Sequence, residues 1–121
     1  MIVGLGIDVV DVARFERAMT RTPGLAQRLF ADVELVVDGA PRPVRSLAAR
    51  WAAKEAAAKA LGTIDGQRWR DLVVASDAHG APSLELGGAW VALAASRGAT
   101  SVHVSLTHDA GVAAAVVVAE A

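Results

Sequence analysis

Two acidic residues occupy unusually apolar surroundings in this sequence. Asp8 ends the apolar run that begins at Ile2, and Glu55 lies within the alanine-rich stretch from Arg50 to Gly62. Acidic side chains are rarely buried unless they are paired or bind a cation. If the two carboxylates converge, they suit Mg²⁺, which prefers oxygen ligands and commonly takes one or two carboxylates together with substrate phosphates.

Cationic side chains lie close to Glu55 along the chain. Arg50, Lys54 and Lys59 would suit the oxygens of a phosphate. The alternative is an ordinary helix surface, on which Glu55 pairs with Lys59 and Lys54 extends its amine to solvent. Asp8 also has an alternative role, as a strand-end residue that caps a turn or the following helix.

Three arginines follow the first apolar run at helical spacing. Arg14, Arg17 and Arg21 are three and four residues apart, so they share one face of a helix. No acidic residue stands on that face to pair with them. The face is either an ordinary solvated surface or a docking surface for an acidic macromolecule.

Two further motifs point to other classes of enzyme and are weak. Ser105 and His108 suggest a Ser-His hydrolase, but the sequence has no Gly-x-Ser-x-Gly elbow, and a lone histidine near a turn is more often a surface residue. Gly4-Leu5-Gly6 resembles the start of a dinucleotide-binding fingerprint, yet the third glycine is missing and an aspartate follows. We therefore exclude a Rossmann site and disfavour a hydrolase triad.

The elements that position these residues follow from hydrophobic periodicity and from turn residues. Asp11 caps the first predicted helix, Thr22-Pro23 begins a second one, and Gly62 ends the long one. Asp32 is able to cap a further turn, and residues 38–43 form a predicted loop. In the first half of the chain we predict a buried strand over 2–10 and three helices, over 12–21, about 23–30 and about 44–61. In the second half we predict strands over 72–75 and 83–86, a helix over 88–97, and strands over 101–107 and about 112–119.

This order of elements predicts an α+β fold. We expect one compact domain over residues 1–121, with a largely antiparallel sheet packed against the long helix. Residues 101–107 alternate, so that Val102, Val104 and Leu106 share one face of their strand. The apolar residues are mostly Ala, Val and Leu, and such a small-residue interior is compatible with a core completed at a subunit interface.

Composition excludes several classes of function. The formal net charge is −1, which does not favour binding to nucleic acid. The chain has no cysteine, which excludes disulfides and thiolate metal sites. The N-terminus lacks a signal-peptide pattern, and the longest nearly uncharged stretch, 110–119, is too short to span a bilayer. We therefore expect a cytoplasmic protein.

Three segments together resemble holo-acyl-carrier-protein synthase, the small stand-alone type of 4′-phosphopantetheinyl transferase. One such motif would be weak evidence, whereas three in the family's order, covering essentially the full chain, are specific. The segments are Gly4-Leu5-Gly6-Ile7-Asp8, Arg50-Trp51-Ala52-Ala53-Lys54-Glu55-Ala56 with Lys59, and His103-Val104-Ser105-Leu106-Thr107-His108.

The resemblance implies a reaction and a catalytic centre. The phosphopantetheine arm of coenzyme A would move to a serine of apo-acyl carrier protein, in fatty acid or polyketide biosynthesis, releasing adenosine 3′,5′-bisphosphate. Asp8 and Glu55 would bind Mg²⁺, with Mn²⁺ as an alternative, together with the pyrophosphate of coenzyme A. Glu55, His108 or a metal-held water would accept the serine proton. Lys59 would contact the pyrophosphate and help the bisphosphate leave.

The resemblance also implies contacts with substrate, carrier and other subunits. Gly62 would let the nucleotide approach the end of the long helix, and Arg50 and His108 match positions near the phosphates of coenzyme A. The family is typically a homotrimer with active sites between subunits. The family docks the acidic carrier protein on the helix that here carries Arg14, Arg17 and Arg21.

Two segments depart from the family pattern. Residues 63–67 lack the second glycine usual after Gly-Thr, and residues 31–45 match poorly, so no contacts are assigned there.

Two other functions stay open. One alternative function is a non-catalytic trimeric binding module that keeps the arginine surface. The other is a different Mg²⁺-dependent phosphate enzyme, such as a small nucleotide hydrolase. The intact set of Asp8, Glu55 and Lys59 favours an enzyme over the binding module.

Overall fold

Helices and strands follow one another along the whole chain, and the computed structural model describes every residue from 1 to 121. None of the helices combines the length and the apolar character that crossing a bilayer requires. The elements, in chain order, are β1 (Ile2–Asp11), α1 (Val12–Arg21), α2 (Leu25–Leu29), α3 (Asp32–Leu35), β2 (Val36–Val37), β3 (Ala40–Pro41), α4 (Val44–Leu61), a 3₁₀ turn (Trp69–Asp71), β4 (Leu72–Ser76), β5 (Pro82–Leu86), α5 (Ala89–Ser96), β6 (Ser101–Asp109) and β7 (Val112–Glu120).

The main sheet has three antiparallel strands in the order β1-β7-β6, so the last strand of the chain is central. Ala110 and Gly111, both at positive φ, turn β6 into β7. Two smaller hairpins, β2–β3 and β4–β5, complete the strands, and α4 covers one face of the main sheet. The predicted α+β class, with an antiparallel sheet packed against the long helix, is confirmed.

Small residues bring α4 and β1 into close contact. Alanines of α4 are fully buried against the sheet, and the facing strand carries Gly4 and Gly6. A Cβ added at Gly6 would overlap the carbonyl oxygen of Ala56, and one at Gly4 would overlap that of Ala60. Glycine is therefore required at both positions, because the backbone of the strand lies almost against the backbone of the helix.

The opposite face of the main sheet is open, so the prediction that β1 is a buried strand is wrong for one of its two faces. Leu5, Ile7 and Val9 are each about 60% exposed (62%, 63% and 60%). The helices cover only the inner face, and alternate side chains of a strand point to opposite faces. The chain thus exposes an apolar strip on its outer sheet face.

Local structure departs from prediction at the start of the second helix. Thr22 does not cap α2, because its backbone N–H donates to Ala18 and ends α1. Pro23 and Gly24 form a turn instead, and the positive φ of Gly24 delays the start of α2 until Leu25.

The segment between α2 and α4 contains two features that sequence patterns did not predict. Ala31 rather than Asp32 precedes the first turn of α3, and the Glu34 carboxylate accepts the Ala31 backbone N–H at 2.9 Å. The predicted loop over 38–43 contains the turn and the second strand of a tight hairpin, β2–β3, and the turn residues Asp38 and Gly39 both have positive φ.

Candidate active site

The carboxylates of Asp8 and Glu55 converge within one chain. Asp8 lies on the inner face of β1, opposite Ala115, and its side chain is 11% exposed. Glu55 projects from α4 toward the same point, and the Asp8 carboxyl group is close enough to raise the pKa of Glu55. The Oδ2 atom of Asp8 is buried and has no hydrogen-bond partner. The pair therefore combines two acidic groups with an unsatisfied buried oxygen.

Lys59 joins this pair from the last turn of α4. Its Nζ donates to Asp8 Oδ1 at 3.0 Å and to the carbonyl oxygen of Ile7 at 2.9 Å. The alternative ion pair between Glu55 and Lys59 along the helix does not form, because the lysine reaches across to β1 instead. The side chain of Lys59 is still 57% exposed, so its ammonium group is available to a bound anion.

The electrostatics of the pair disfavour two negative charges. Burial and, after it, the adjacent Asp8 carboxyl raise the pKa of Glu55 from an ordinary value of 4.5 to about 7, while Lys59 opposes the change. A carboxylate with such a pKa is able to exchange a proton near neutral pH. A cation placed between Asp8 and Glu55 would relieve their repulsion.

Lys54 takes no part in this cluster, and the expectation that it reaches solvent is wrong. Its ammonium group is fully buried and donates to Leu29 O at 2.8 Å, Glu34 Oε1 at 2.7 Å and Trp69 O at 3.0 Å. Burial lowers the pKa of Lys54, and the bond to Glu34 opposes that change. Lys54 is therefore unavailable to a phosphate.

A second cluster surrounds Arg50. Its guanidinium donates to Ser46 Oγ at 2.8 Å and to Ser76 Oγ at 3.2 Å, and Arg42 donates to the same Ser46 oxygen at 3.3 Å. No carboxylate pairs with Arg50, its buried Nε has no partner, and burial together with the charge of Arg42 lowers its pKa. Two neighbouring guanidinium groups without a counterion make this a site suited to an anion.

The second cluster opens into a cavity of about 240 Å³ that also contains His108. His108 lies within β6, paired with Ala113, rather than in the turn where the sequence placed it. The lining residues are Ser46, Ala49, Arg50, Ser76, Gly80, Pro82, Leu106, Thr107 and His108.

The two clusters lie on opposite sides of α4. Arg50 and Lys59 are nine residues apart, which at 100° per residue places them about 180° apart around the helix and about 13 Å apart along it. Lys59 and Glu55 lie on the side of α4 that faces Asp8 of β1. Arg50 lines the cavity on the other side, together with Ser76 of β4 and His108 of β6. One chain therefore does not bring all the predicted site residues together.

A groove connects Glu55 to the predicted docking helix. Arg14 and Glu55 both line a cavity of about 260 Å³ between α1 and α4, together with the apolar residues Phe15 and Trp51. Arg14, Arg17 and Arg21 are exposed and form no ion pair, while Val12, Phe15 and Met19 face the protein. The charged face and the acidic pair thus border one continuous surface.

Gly62 ends α4 as predicted, with φ at 98°. The space beside it is not open, because a Cβ added there would lie 2.6 Å from Nη2 of Arg97. A nucleotide that approaches the end of α4 would therefore meet a guanidinium group from the end of α5. This arginine was not among the residues singled out in the sequence.

Comparison with known proteins identifies the family to which this arrangement belongs. Residues 4–117 match the model of the 4′-phosphopantetheinyl transferase superfamily. The chain belongs to this superfamily. A holo-[acyl-carrier-protein] synthase of the transferase superfamily, from Clavibacter sepedonicus, is 57% identical over 120 residues, which cover 99% of this chain and 97% of the relative.

Solved structures of related transferases have the same fold. The holo-[acyl-carrier-protein] synthase of Neisseria meningitidis superposes with a TM-score of 0.87 and 34% identity, covering 100% of both chains. That of Helicobacter pylori, solved in complex with coenzyme A, superposes with a TM-score of 0.82 and 30% identity, covering 96% of this chain and 99% of that one.

Sequence patterns missed several residues of the cluster around Arg50. Arg42 and Ser46 stand eight and four residues before Arg50, so their spacing was visible in the sequence, but Arg42 lies in the segment 31–45 that matched the family pattern poorly. Ser76 comes from a distant strand, and no pattern along the chain indicated its contact with Arg50.

Proposed function

We propose that this protein is a holo-[acyl-carrier-protein] synthase. It transfers the 4′-phosphopantetheine group of coenzyme A to a serine of apo-acyl carrier protein, in fatty acid or polyketide biosynthesis, with residues 1–121 acting as one catalytic domain. The convergence of Asp8, Glu55 and Lys59 at the end of a groove bordered by an arginine face supports this function. The names of its relatives support the same activity.

We also propose that Asp8 and Glu55 hold Mg²⁺, or Mn²⁺ in its place. The residues fit such an ion, because Asp8 Oδ2 is buried without a partner and the two carboxyl groups repel each other. Nowhere in the chain do three or more His, Cys, Asp or Glu side chains group around a potential metal site, so water and pyrophosphate oxygens would fill the other positions. When bound, the ion supplies charge neutralisation at the pyrophosphate.

The chain's own residues have defined tasks in the transfer. The carrier serine attacks the phosphorus atom that bears the pantetheine arm, and the bond from that phosphorus to the bridging oxygen breaks. Glu55 accepts the serine proton, directly or through water. Lys59 neutralises the charge that develops on the departing adenosine 3′,5′-bisphosphate, because its ammonium group lies beside Asp8 and stays exposed.

The Arg50 cavity is the proposed site for the nucleotide phosphates of coenzyme A. Arg50 lines this cavity without a carboxylate partner, Arg42 donates to the same Ser46 oxygen, and His108 stands in the same cavity. A phosphate would neutralise them and accept charge-assisted hydrogen bonds. Gly62 and the nearby Arg97 would border the nucleotide from the end of α4.

A complete active site then requires two subunits, and we propose a homotrimer. The catalytic cluster and the phosphate cavity face opposite sides of α4, so a single coenzyme A would bridge the cluster of one protomer and the cavity of its neighbour. The apolar strip on the outer sheet face, formed by Leu5, Ile7 and Val9, would be covered in this assembly. His108 would approach the reaction centre only across this interface.

The arginine face of α1 is the proposed docking surface for the acidic carrier protein. Arg14, Arg17 and Arg21 are exposed and unpaired, and the groove beside Arg14 leads to Glu55. Attraction between opposite charges would orient the carrier so that its serine enters this groove. We place the reaction in the cytoplasm, because its proposed substrate coenzyme A is used there.

Carrier modification tests the function directly. Incubation with apo-acyl carrier protein, coenzyme A and Mg²⁺ is expected to add one phosphopantetheine mass to the carrier, as measured by intact-protein mass spectrometry. Glu55→Gln is expected to slow this transfer about 10²-fold or more, because it removes a ligand and a proton acceptor. Glu85→Gln serves as the control, since Glu85 is an exposed acid on β5 outside the proposed site.

Three results would oppose the proposal. Absence of any mass gain with either metal would argue for a non-catalytic module. Release of phosphate from coenzyme A or a nucleotide without a carrier present would indicate a hydrolase. A Glu55→Gln variant that transfers at the wild-type rate would remove the proposed metal and proton-acceptor roles.

A further inference from the structure

One buried ion pair has no task in the reaction described above. Lys54 and Glu34 are both fully buried, and their charged atoms are 2.7 Å apart. Removing two charges from water costs several kcal/mol per ion in real proteins, by order of magnitude, so such a pair is not explained by stability alone. Buried pairs are best attested as devices that specify one arrangement of packed elements.

The pair connects α4 to four other elements. Lys54 uses all three ammonium protons, on Leu29 at the end of α2, on Glu34 of α3 and on Trp69 of the 3₁₀ turn. Glu34 in turn accepts the backbone N–H of Val74 in β4 at 3.0 Å and that of Ala31 at 2.9 Å. Each of these bonds is directional, so together they define the rotation of α4 about its own axis.

The other side of α4 defines that rotation less completely. There the helix presents alanines to the glycines of β1, and the bonds across this contact come from the long, exposed side chain of Lys59, which reaches Asp8 and the carbonyl oxygen of Ile7. Ridges of side chains are what normally determine how helices pack, and alanine and glycine provide almost none. Close contact with β1 is therefore compatible with small rotations and slides of the helix.

A small rotation of α4 would move Glu55 by a distance that matters for chemistry. A carboxylate lies about 6 Å from the helix axis, which is the backbone radius of about 2.3 Å plus the side chain. A 10° rotation then displaces it by about 1 Å, and displacements of about that size cost catalytic sites up to 10²-fold in rate. Glu55 follows Lys54 directly, so the anchored residue determines the direction of its neighbour.

We propose that the buried Glu34–Lys54 pair is a positioning device that holds α4 in the rotation at which Glu55 meets Asp8. The pair touches neither substrate nor metal, and it acts through the helix backbone. This inference rests on the proposed metal site, and it predicts that the charge of Lys54 matters for metal affinity even where the fold survives without it.

The absence of native cysteine permits an experiment on the charge of Lys54 alone. Lys54→Cys is alkylated in the unfolded state with 2-bromoethylamine, which rebuilds a lysine analogue, or with 1-bromopropane, which builds an uncharged side chain of the same length. Both proteins are refolded and compared by circular dichroism, thermal unfolding, Mn²⁺ titration and steady-state kinetics.

The uncharged protein is expected to fold yet bind Mn²⁺ at least tenfold more weakly than wild type. Its kcat at saturating coenzyme A is expected to fall at least tenfold, because Glu55 would no longer be held where it meets Asp8. The aminoethyl protein is expected to recover Mn²⁺ affinity to within threefold of wild type. Leu93→Ala, a core truncation in α5 remote from the pair, is expected to lower the unfolding temperature without changing Mn²⁺ affinity.

Every other outcome of these measurements either supports or overturns the positioning role of the Glu34–Lys54 pair. A folded uncharged protein with wild-type Mn²⁺ affinity would overturn the positioning role and leave the metal site intact. A wild-type protein that binds no Mn²⁺ would remove the metal site and this role with it. If the uncharged protein does not refold, Glu34→Gln becomes the deciding variant, because it keeps the lysine and one acceptor oxygen. An unchanged Mn²⁺ affinity in Glu34→Gln overturns the proposal, and a weakening of threefold or more supports it.

Discussion

Adjacent charged residues on α4 have opposite environments. Lys54 is fully buried with three oxygen partners, whereas Glu55 borders a groove and faces another carboxyl group. The 100° step between successive helix positions separates them, since one residue faces α3 and the next faces β1. A structural charge and a chemically active charge therefore occupy consecutive positions without interfering.

The raised pKa of Glu55 predicts how the stability of the metal-free protein depends on pH. The pKa is 4.5 for an ordinary glutamate and about 7 in the folded chain, so between these values the folded state binds more protons than the unfolded state. The contribution of Glu55 to the free energy of unfolding is thus largest below pH 4.5 and is lost as the pH rises through 7. Glu55→Gln is expected to unfold at a higher temperature than wild type at pH 8.

Thermal unfolding in the presence of a chelator provides the measurement. The advantage of Glu55→Gln at pH 8 is expected to shrink as the pH falls toward 4.5, since the carboxyl group of the folded wild type is then neutral. Added Mg²⁺ is expected to raise the unfolding temperature of wild type more than that of the variant. A difference between variant and wild type that is the same at both pH values would contradict this assignment.

At the scale of elements, the contact between β1 and α4 determines whether the acidic pair exists. Gly4 and Gly6 let the strand approach the helix backbone, and Asp8 stands two residues farther along the same inner face. The sequence pattern Gly4-Leu5-Gly6-Ile7-Asp8 therefore combines a packing requirement with a proposed metal ligand.

Gly6→Ala tests this contact. The added methyl group would overlap the carbonyl oxygen of Ala56, so the strand must move away from the helix. We expect a loss of about 1–3 kcal/mol in the free energy of unfolding, which is typical of overpacking, together with weaker Mn²⁺ binding. Chemical denaturation and Mn²⁺ titration provide the two measurements.

Gly39→Ala is a suitable control for Gly6→Ala. Gly39 has a positive φ in the β2–β3 turn, and a Cβ there would meet no atom within 4 Å. Its replacement introduces backbone strain of about 1 kcal/mol without crowding, and Mn²⁺ affinity is expected to stay unchanged. Equal Mn²⁺ affinities for wild type and Gly6→Ala would show that the close approach is not needed for the site.

The amphipathic helix α1 has its own prediction. Reversing charge at Arg14 and Arg17 is expected to raise the KM for carrier protein about tenfold while leaving the KM for coenzyme A unchanged, because the two substrates would bind different surfaces. The effect is expected to diminish at high salt, since the charges are exposed. An equal loss for both substrates would argue against a docking role for this helix.

At the scale of the whole molecule, two features favour the proposed trimer. One is the open apolar face of the main sheet, and the other is the placement of the acidic pair and the Arg50 cavity on opposite sides of α4. The outer face of β1 is apolar, and the central strand β7 contributes Val116 and Val118 beside it. Contiguous apolar surface of this kind usually marks an interaction site. The separation of the proposed phosphate cavity from the acidic pair would give that interaction a catalytic reason.

Val116→Glu is expected to convert the proposed trimer into monomers. Val116 lies between Ile7 and Ser105 at the centre of the outer face, so a charge there would oppose burial in an interface. Light scattering coupled to size exclusion reports the mass, and carrier modification is expected to be lost with the trimer. Val91→Glu is the matched control, because Val91 is exposed on α5, away from the sheet. A monomeric Val116→Glu protein that retains full activity would contradict a shared active site.

Patterns that extend over a few residues were sufficient to predict the local elements of this protein. The alternation in β6, the two faces of α1 and the end of α4 at Gly62 were all confirmed. These features depend on backbone geometry and on contacts with near neighbours, which periodicity and turn residues express directly. The roles that motif resemblance assigned to Asp8, Glu55 and the other site residues stay predictions.

Only the tertiary structure decided which charges meet. Lys59 contacts Asp8 across 51 residues instead of Glu55 four residues away, and Lys54 meets Glu34 across 20 residues. Ion pairs form wherever packing brings side chains together with their other hydrogen-bond partners satisfied, and that condition involves several elements at once. The spacing of residues along a single helix therefore does not predict which ion pairs form between elements.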